Sequence, residues 1–410
     1  MRDCRRGACA AFVAAVLCAC GQGGGRSPAL PPGQQTSGQD AGPVADGGPA
    51  DAGPPDAGPS DSGPAADKPN VPVLLASGEH GPLTLAADDE NVLYWGTTEE
   101  GTGAVIRATQ PTGGGPVTLL ALPRRLDLPG GVHHHARIDR LEVDASWMFF
   151  STTEWEWVPN PDDVASIYYA GGFYRAPKSG GSAEIFAIPE GFGAMAPFSP
   201  DDDAIYFYAP GTSGIAIAAV PKSGGAVTTF RLEAPAGNLA TVNSIAMDAR
   251  YWYVSRSNYF GAAHTECVSR APRSGGVLED VWCPNFLVQH LVLAGSLLVG
   301  VDPWPSTAAP GTWGVDLATA SANPIALADK QIVGLAADAS RGALYAVEIS
   351  LGSEVPPVPA TSDLVRIEVA SGRRTVVDHD EGSAPAGRCV VVGAGSIFFT
   401  RGGDVLRIDP

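Results

Sequence analysis

Three observations predict that this 410-residue chain is all-β: a seven-bladed β-propeller closed by an N-terminal strand and preceded by a disordered linker. Residues 71–410 repeat one pattern of short apolar runs and glycine turns. The last repeat lacks its final run. A run of the missing type, Val71-Pro72-Val73-Leu74-Leu75, stands before the first repeat.

Residues 1–19 read as an export signal. Arg2, Arg5 and Arg6 supply the positive start, and Ala8 to Leu17 form an apolar stretch too short to span a bilayer. The segment ends Leu17-Cys18-Ala19-Cys20-Gly21, which resembles the lipobox of bacterial lipoproteins. The resemblance implies that Cys20 becomes the acylated first residue of the mature protein, with Gly21 favouring the outer membrane. An ordinary signal peptide cut near Ala19, leaving Cys20 unmodified, is the alternative. No later stretch is long and apolar enough to cross a membrane, so lipid is the only expected anchor.

Residues 20–70 show no hydrophobic periodicity. Asp40, Asp46, Asp51, Asp56 and Asp61 each open an Asp-small-Gly-Pro unit. Proline removes backbone donors, glycine raises the entropy of the open chain, and the aspartates repel one another. The expected state is an extended tether, reaching about 150 Å at about 3 Å per residue. Calcium binding is not expected, because its ligands must converge on a fixed loop.

The repeats follow. Unit one runs Asp89, Leu93-Tyr94-Trp95, Val105-Ile106-Arg107, then Val117 to Leu120. Units two to four repeat this with Asp144, Asp201 and Asp248, and each closes its third run on a Pro-Lys/Arg-Ser-Gly-Gly turn at Pro177, Pro221 or Pro272. Unit five, around Leu297-Leu298-Val299 and Trp313-Gly314-Val315, is degenerate. Unit six carries Asp338 and Leu344 to Val347, and unit seven ends with Val405 to Ile408. Repeats of about 40–60 residues with four short β-branched and aromatic strands mark propeller blades. The Ser-Gly-Gly turns supply the positive φ a tight hairpin needs. Each repeated Asp reads as a turn cap rather than a general acid or base. Six or eight blades are the alternative counts. Tyr94-Trp95-Gly96-Thr97 and Phe149-Phe150-Ser151-Thr152 make residues 71–410 similar to repeat propellers of the YWTD and TolB-like class. That resemblance implies fold alone.

Charge and composition narrow the function. A net charge of −18 argues against nucleic acid, which needs clustered Lys and Arg. There is no Gly-x-Ser-x-Gly elbow, Walker loop or His-Glu-x-x-His motif, so no cofactor is expected and an enzyme is the lesser reading. Insertions fall in one set of connections, those between second and third runs and between units: Leu122 to Arg137, Glu154 to Ser166, Asn258 to Thr265, Asp302 to Thr312 and Leu351 to Ser362. They share one face and carry His133, His134, His135, Trp155, Trp157, Tyr259, Phe260, His264 and Trp304. Aromatics on loops of a rigid scaffold anchor partners, so a protein or glycan of the cell envelope is the expected ligand. Local burial of these side chains at the rim is the competing reading. Neutral imidazole also binds metals. Only His133 and His135 could share a site along a strand, with His264 or Asp162 as a third ligand. A solvated histidine loop is preferred. The alternative function is a histidine- or metal-dependent propeller hydrolase or lyase on this face.

Cys267 and Cys283 lie eight residues either side of Gly275. A regular hairpin would set them opposite one another, and in an oxidising compartment they should pair. Cys389 is expected to pack as a small hydrophobe.

Overall fold

A computed structural model describes residues 71–79, 84–99, 103–109, 114–122, 137–158, 166–186, 198–201, 203–211, 214–234, 241–260, 263–284, 286–301, 312–319, 321–326, 330–350, 353–354, 357–358, 360–381 and 389–410. Among these there is no helix. Seven sheets form the blades of a ring, each built on four antiparallel strands, and the blade 3 sheet adds Gly276–Val277 of the blade 4 turn as a fifth, parallel strand. Blade 1 is Thr84–Ala87, Leu93–Glu99, Gly103–Thr109 and Val117–Ala121, from the axis outward. Blades 2 to 6 repeat that order and begin at Arg137, Phe198, Thr241, Gln289 and Gln331. Blade 7 is Val390–Val392, Ile397–Arg401 and Asp404–Ile408, and its fourth strand is Val73–Ala76 from the other end of the chain. Val73 pairs with Arg407 and Leu74 with Leu406, so the expected closing strand is in place.

The apolar runs of the first three strands do not alternate with polar residues because both faces of the blade are buried there, whereas the fourth strands are largely exposed. Successive residues of one run serve opposite seams. Phe150 packs with Tyr94 and Leu141 between blades 1 and 2, whereas Phe149 packs with Phe173 and Phe207 between blades 2 and 3. Five further clusters fill the remaining seams. Leu85 and Trp95 of blade 1 meet Val391, Phe398 and Leu75 of blade 7, which completes the circle. Cys389 is buried in that last cluster as a small apolar side chain. Blades 1 and 2 also approach closely: a Cβ on Gly96 of the second strand of blade 1 would lie 2.5 Å from Ile138 of blade 2.

The turns between first and second strands and between third and fourth strands share one end of the ring, and polar bonds lock it. In blade 3, Asp201 Oδ1 accepts the amides of Asp203 and Ala204, while Oδ2 accepts the Tyr206 hydroxyl at 2.6 Å. The same Oδ2 meets the Arg273 guanidinium of blade 4 at 3.0 Å. Arg273 also lies 4.6 Å from the ring centroids of Tyr206 and Trp252, one on each side of the seam. Lys222 of blade 3 reaches back to Asp144 at 3.0 Å, and Lys178 of blade 2 reaches Asp88 at 2.6 Å. The cation of each Pro-Lys/Arg-Ser-Gly-Gly turn is thus a latch onto the Asp cap of the preceding blade. In the blade 2 and blade 4 turns the first glycine also presses on the outer strand of the preceding blade. Gly275 has φ 91°, and a Cβ there would sit 2.8 Å from the Arg231 carbonyl of the neighbouring outer strand. The cap in blade 1 is Asp88, which accepts the amides of Glu90 and Val92, and not Asp89 as the sequence suggested. Asp89 is one residue too far along the turn to receive them.

Burial opposes ionisation of Asp144, but the Ser146 amide, the Lys222 ammonium and the Trp147 amide outweigh it and hold the carboxyl below its usual range. Asp201 is lowered in the same way, against burial, by Tyr206, the Ala204 and Asp203 amides and Arg273. Burial and the bond to Asp201 push the Tyr206 hydroxyl up to about 12.

Two outcomes are expected. A chain truncated before Gly78 loses the closing strand, exposes the Asp404–Ile408 edge, and should show a lower Tm and concentration-dependent association. An unchanged Tm would refute closure by this strand. Lys222→Met and Arg273→Met should each destabilise by about 1–2 kcal/mol at neutral pH, as lost hydrogen bonds to a charged group do. Because the folded carboxyl pKa values are depressed, the latches stabilise above the ordinary carboxylate range and are lost as pH falls through the depressed values. The variants should therefore converge on the parent in denaturant melts at low pH.

Candidate functional site

The opposite end of the ring carries the connections between second and third strands and between blades. Among the described residues, two hairpins extend there by several ladder positions past both the first and the fourth strands of their sheets. In blade 2, Arg137–Val143 pairs with its neighbour only as far as Thr153. The ladder between Trp147–Val158 and Ser166–Pro177 continues past it from Glu154↔Ala170 to Val158↔Ser166. In blade 4 the inner strand stops opposite Ser257, and the outer ladder continues through Asn258↔Thr265, Tyr259↔His264 and Phe260↔Ala263. Trp155 stands opposite Tyr169, and Trp157 opposite Ile167.

Within the stretches Glu154 to Ser166 and Asn258 to Thr265, expected as loops, the described residues 154–158, 166, 258–260 and 263–265 are strand. Their aromatic and β-branched residues favour the pleated ladder once a hairpin has begun. Ser353–Glu354 and Pro357–Val358 form a small hairpin of their own inside the blade 6 insertion. Of the predicted binding residues, Trp155, Trp157, Tyr259, Phe260 and His264 lie on the two ribbons. His133, His135, Trp304 and Cys20 fall outside the described residues.

The base of the blade 4 ribbon is rigid. Cys267 and Cys283 form a disulfide with their Cα atoms 4.0 Å apart, as their equal spacing about Gly275 predicted. They continue the register set by Val268↔Trp282. Beside them the buried Ser257 donates to Glu266 Oε2 at 2.7 Å, and Asn243 donates to Ser257 at 2.8 Å. Trp282, Phe286 and Trp313 stack across the seam to blade 5, with centroids 5.4–5.6 Å apart.

Blade 6 contributes a charged group that sequence reasoning missed. Asp363, with only 7% of its side chain exposed, receives Lys330 Nζ on Oδ2 at 2.5 Å and His379 Nδ1 on Oδ1 at 2.5 Å. The other ring nitrogen of the half-exposed His379 lies 3.4 Å from Glu381. Burial raises the Asp363 carboxyl, but Lys330 and His379 outweigh it and leave it below the usual range. The bonds to Asp363 and then Glu381 push the imidazole up. Next to it, Asp378 takes two bonds from Arg401 of blade 7. An imidazole oriented by a carboxylate has the geometry of a general base, yet Lys330 neutralises the same carboxylate. None of the described contacts of His379 is to a hydroxyl or thiol. The group fixes the rim of blade 6 and presents the half-exposed His379 imidazole at the loop face. Only the strand register set by Asp363↔His379 joins these residues, so no sequence motif announces them.

No family model matches the chain, and no curated protein does. Among solved structures it is similar to a Mycobacterium tuberculosis puromycin-hydrolyzing peptidase, at 14% identity and TM-score 0.47 over 81% of this chain and 52% of that one. It is also similar to an oligogalacturonate lyase in complex with manganese, at 9% and 0.43 over 61% of this chain and 66% of that one. For the AfRom2 CNH domain the values are 8% and 0.45, over 82% of this chain and 98% of that one. The chain thus spans about half the length of the peptidase. At these identities no activity passes from those proteins to this one.

Proton NMR titration checks the blade 6 group. His379 should titrate above the ordinary imidazole value of about 6.5, and Asp363→Asn should bring it back. A raised histidine stabilises the fold below about pH 6.5 and loses that contribution as pH rises through its folded value. An ordinary pKa in the parent would mean that the Asp363 contact does not persist in solution.

Proposed function

We propose that the chain is an exported binding module of the cell envelope, lipid-anchored through Cys20, whose propeller presents its loop face to a protein or glycan partner. One observation carries this reading. Two ribbons rich in aromatic residues, at blades 2 and 4, project from one end of a ring whose other end is occupied by blade-to-blade latches. Rigid aromatics on such projections supply contact area at small entropic loss. The Asp-Gly-Pro tether of residues 20–70 would hold that face away from the membrane, with no second anchor required. Export agrees with the Cys267–Cys283 disulfide, which an oxidising compartment allows to form. The net charge of −18 sets nucleic acid and anionic lipid surfaces aside as partners.

Chemical cross-linking of the mature chain in a solubilised envelope fraction tests the reading. Cross-links are expected within 154–169 and 258–265, and Trp155→Ala with Trp157→Ala should reduce capture at least about tenfold, as loss of an interface anchor does. Cross-links confined to the latch turns at 178–181, 222–225 and 273–276 would refute it. Cleavage of the captured partner, abolished by His264→Ala, would transfer support to the hydrolase or lyase alternative.

A further inference from the structure

We propose that the Cys267–Cys283 pair, when reduced, forms with Asp280 a binding site for a zinc ion. The two sulfurs and a carboxylate oxygen of Asp280 lie within 4.8 Å of one another. Asp280 is held in place. Ser269 Oγ donates to its Oδ1 at 2.7 Å, and the Arg256 guanidinium donates to the same oxygen at 2.5 Å. Both bonds fall on Oδ1, which leaves Oδ2 for a ligand. Arg256 is itself fixed: its side chain is 3% exposed, Nε donates to Ser269, and Nη1 is buried without a hydrogen-bond partner.

This is the arrangement of a metal ligand with an outer shell that orients it. Two thiolates, one carboxylate and one guanidinium sum to −2, which a divalent cation neutralises. Thiolate sulfur suits zinc over calcium or magnesium. With Zn–S near 2.3 Å, tetrahedral coordination needs the sulfurs about 3.8 Å apart. Cys283 lies just past the Glu279–Trp282 strand and is exposed, so its side chain has room to turn outward by that amount.

Exposure also decides how the reduced state forms. An external dithiol attacks through its thiolate at the accessible Cys283 sulfur, and the buried Cys267 departs as thiolate. The second thiol of the reductant then resolves the mixed disulfide. Two electrons and two protons pass to the cysteine pair, and the reductant closes to its own disulfide. Zinc binding then displaces the two thiol protons. The same cross-strand staple therefore exists in two forms, one covalent and one metal-held.

The test uses the mature chain, reduced with a phosphine and titrated with Zn²⁺ against a chromogenic chelator. Cobalt substitution reports thiolate ligation through its near-ultraviolet charge-transfer band. Reduced protein should bind one equivalent with that band, and oxidised protein should not show it. Asp280→Asn should weaken binding at least about tenfold, and the Cys267→Ser/Cys283→Ser double variant should lose the band. The proposal is overturned if Asp280→Asn binds as the parent does, or if the same stoichiometric binding survives in the double variant. It is equally overturned if reduction abolishes the near-ultraviolet circular dichroism of the tryptophans and zinc does not restore it.

Discussion

Every blade of this protein is apolar on both faces, and that single constraint forces the ring. A blade at the end of an open row would leave a large aromatic surface in water, such as that of Trp95 or Phe398, and burial of one such side chain stabilises by about 1.5–3 kcal/mol. Seven seams filled by seven clusters leave no end. The strand Val73–Ala76 adds covalent logic to this geometry. Because blade 7 draws strands from both ends of residues 71–410, the ring cannot open at that seam without breaking a ladder.

Apolar packing is non-directional, so it does not by itself fix the angle at which successive blades meet. The latches do. A carboxylate that already caps its own turn, and that holds a tyrosine in blades 1 and 3, has one remaining direction for a cation. The next blade supplies it from a turn of fixed shape. The seam between blades 4 and 5 shows what happens without this device. Asp248 keeps its cap and its bond to Tyr253, but Leu317 stands where Lys178, Lys222 and Arg273 stand in the earlier turns. There the seam relies on Leu317 and the Trp282–Phe286–Trp313 stack, and it is apolar where its predecessors are ionic.

What was legible in the sequence had local or repeated causes. The strands were visible as aromatic and β-branched runs, the closing strand as a missing run found elsewhere, and the disulfide as symmetry about Gly275. The features that escaped depend on register. Choosing between Asp88 and Asp89 requires knowing which residue begins the turn. Recognising that Trp155 and Trp157 belong to a ladder requires knowing where their strand's inner neighbour stops. His379 is sixteen positions from Asp363 and Lys330 is thirty-three, and only pairing across the sheet brings them to one carboxylate. The latch was half legible: Pro-Lys-Ser-Gly-Gly announced a tight turn, but its role toward the preceding blade is a property of the assembled ring.

The division of labour between the two ends of the ring follows from these contacts. At the latch end, the turn cations Lys178, Lys222 and Arg273 each answer to two blades at once. Arg273 bonds Asp201 of blade 3 and the Asp248 carbonyl of blade 4, and Gly275 has no room for a side chain. Lengthening such a turn would disturb a seam. At the other end the second and third strands are joined only to each other, and a hairpin can grow without moving its neighbours. Blade 2 has grown by five ladder positions and blade 4 by three. Among the described residues, the long ribbons therefore lie on the one face where extra residues leave the seams intact.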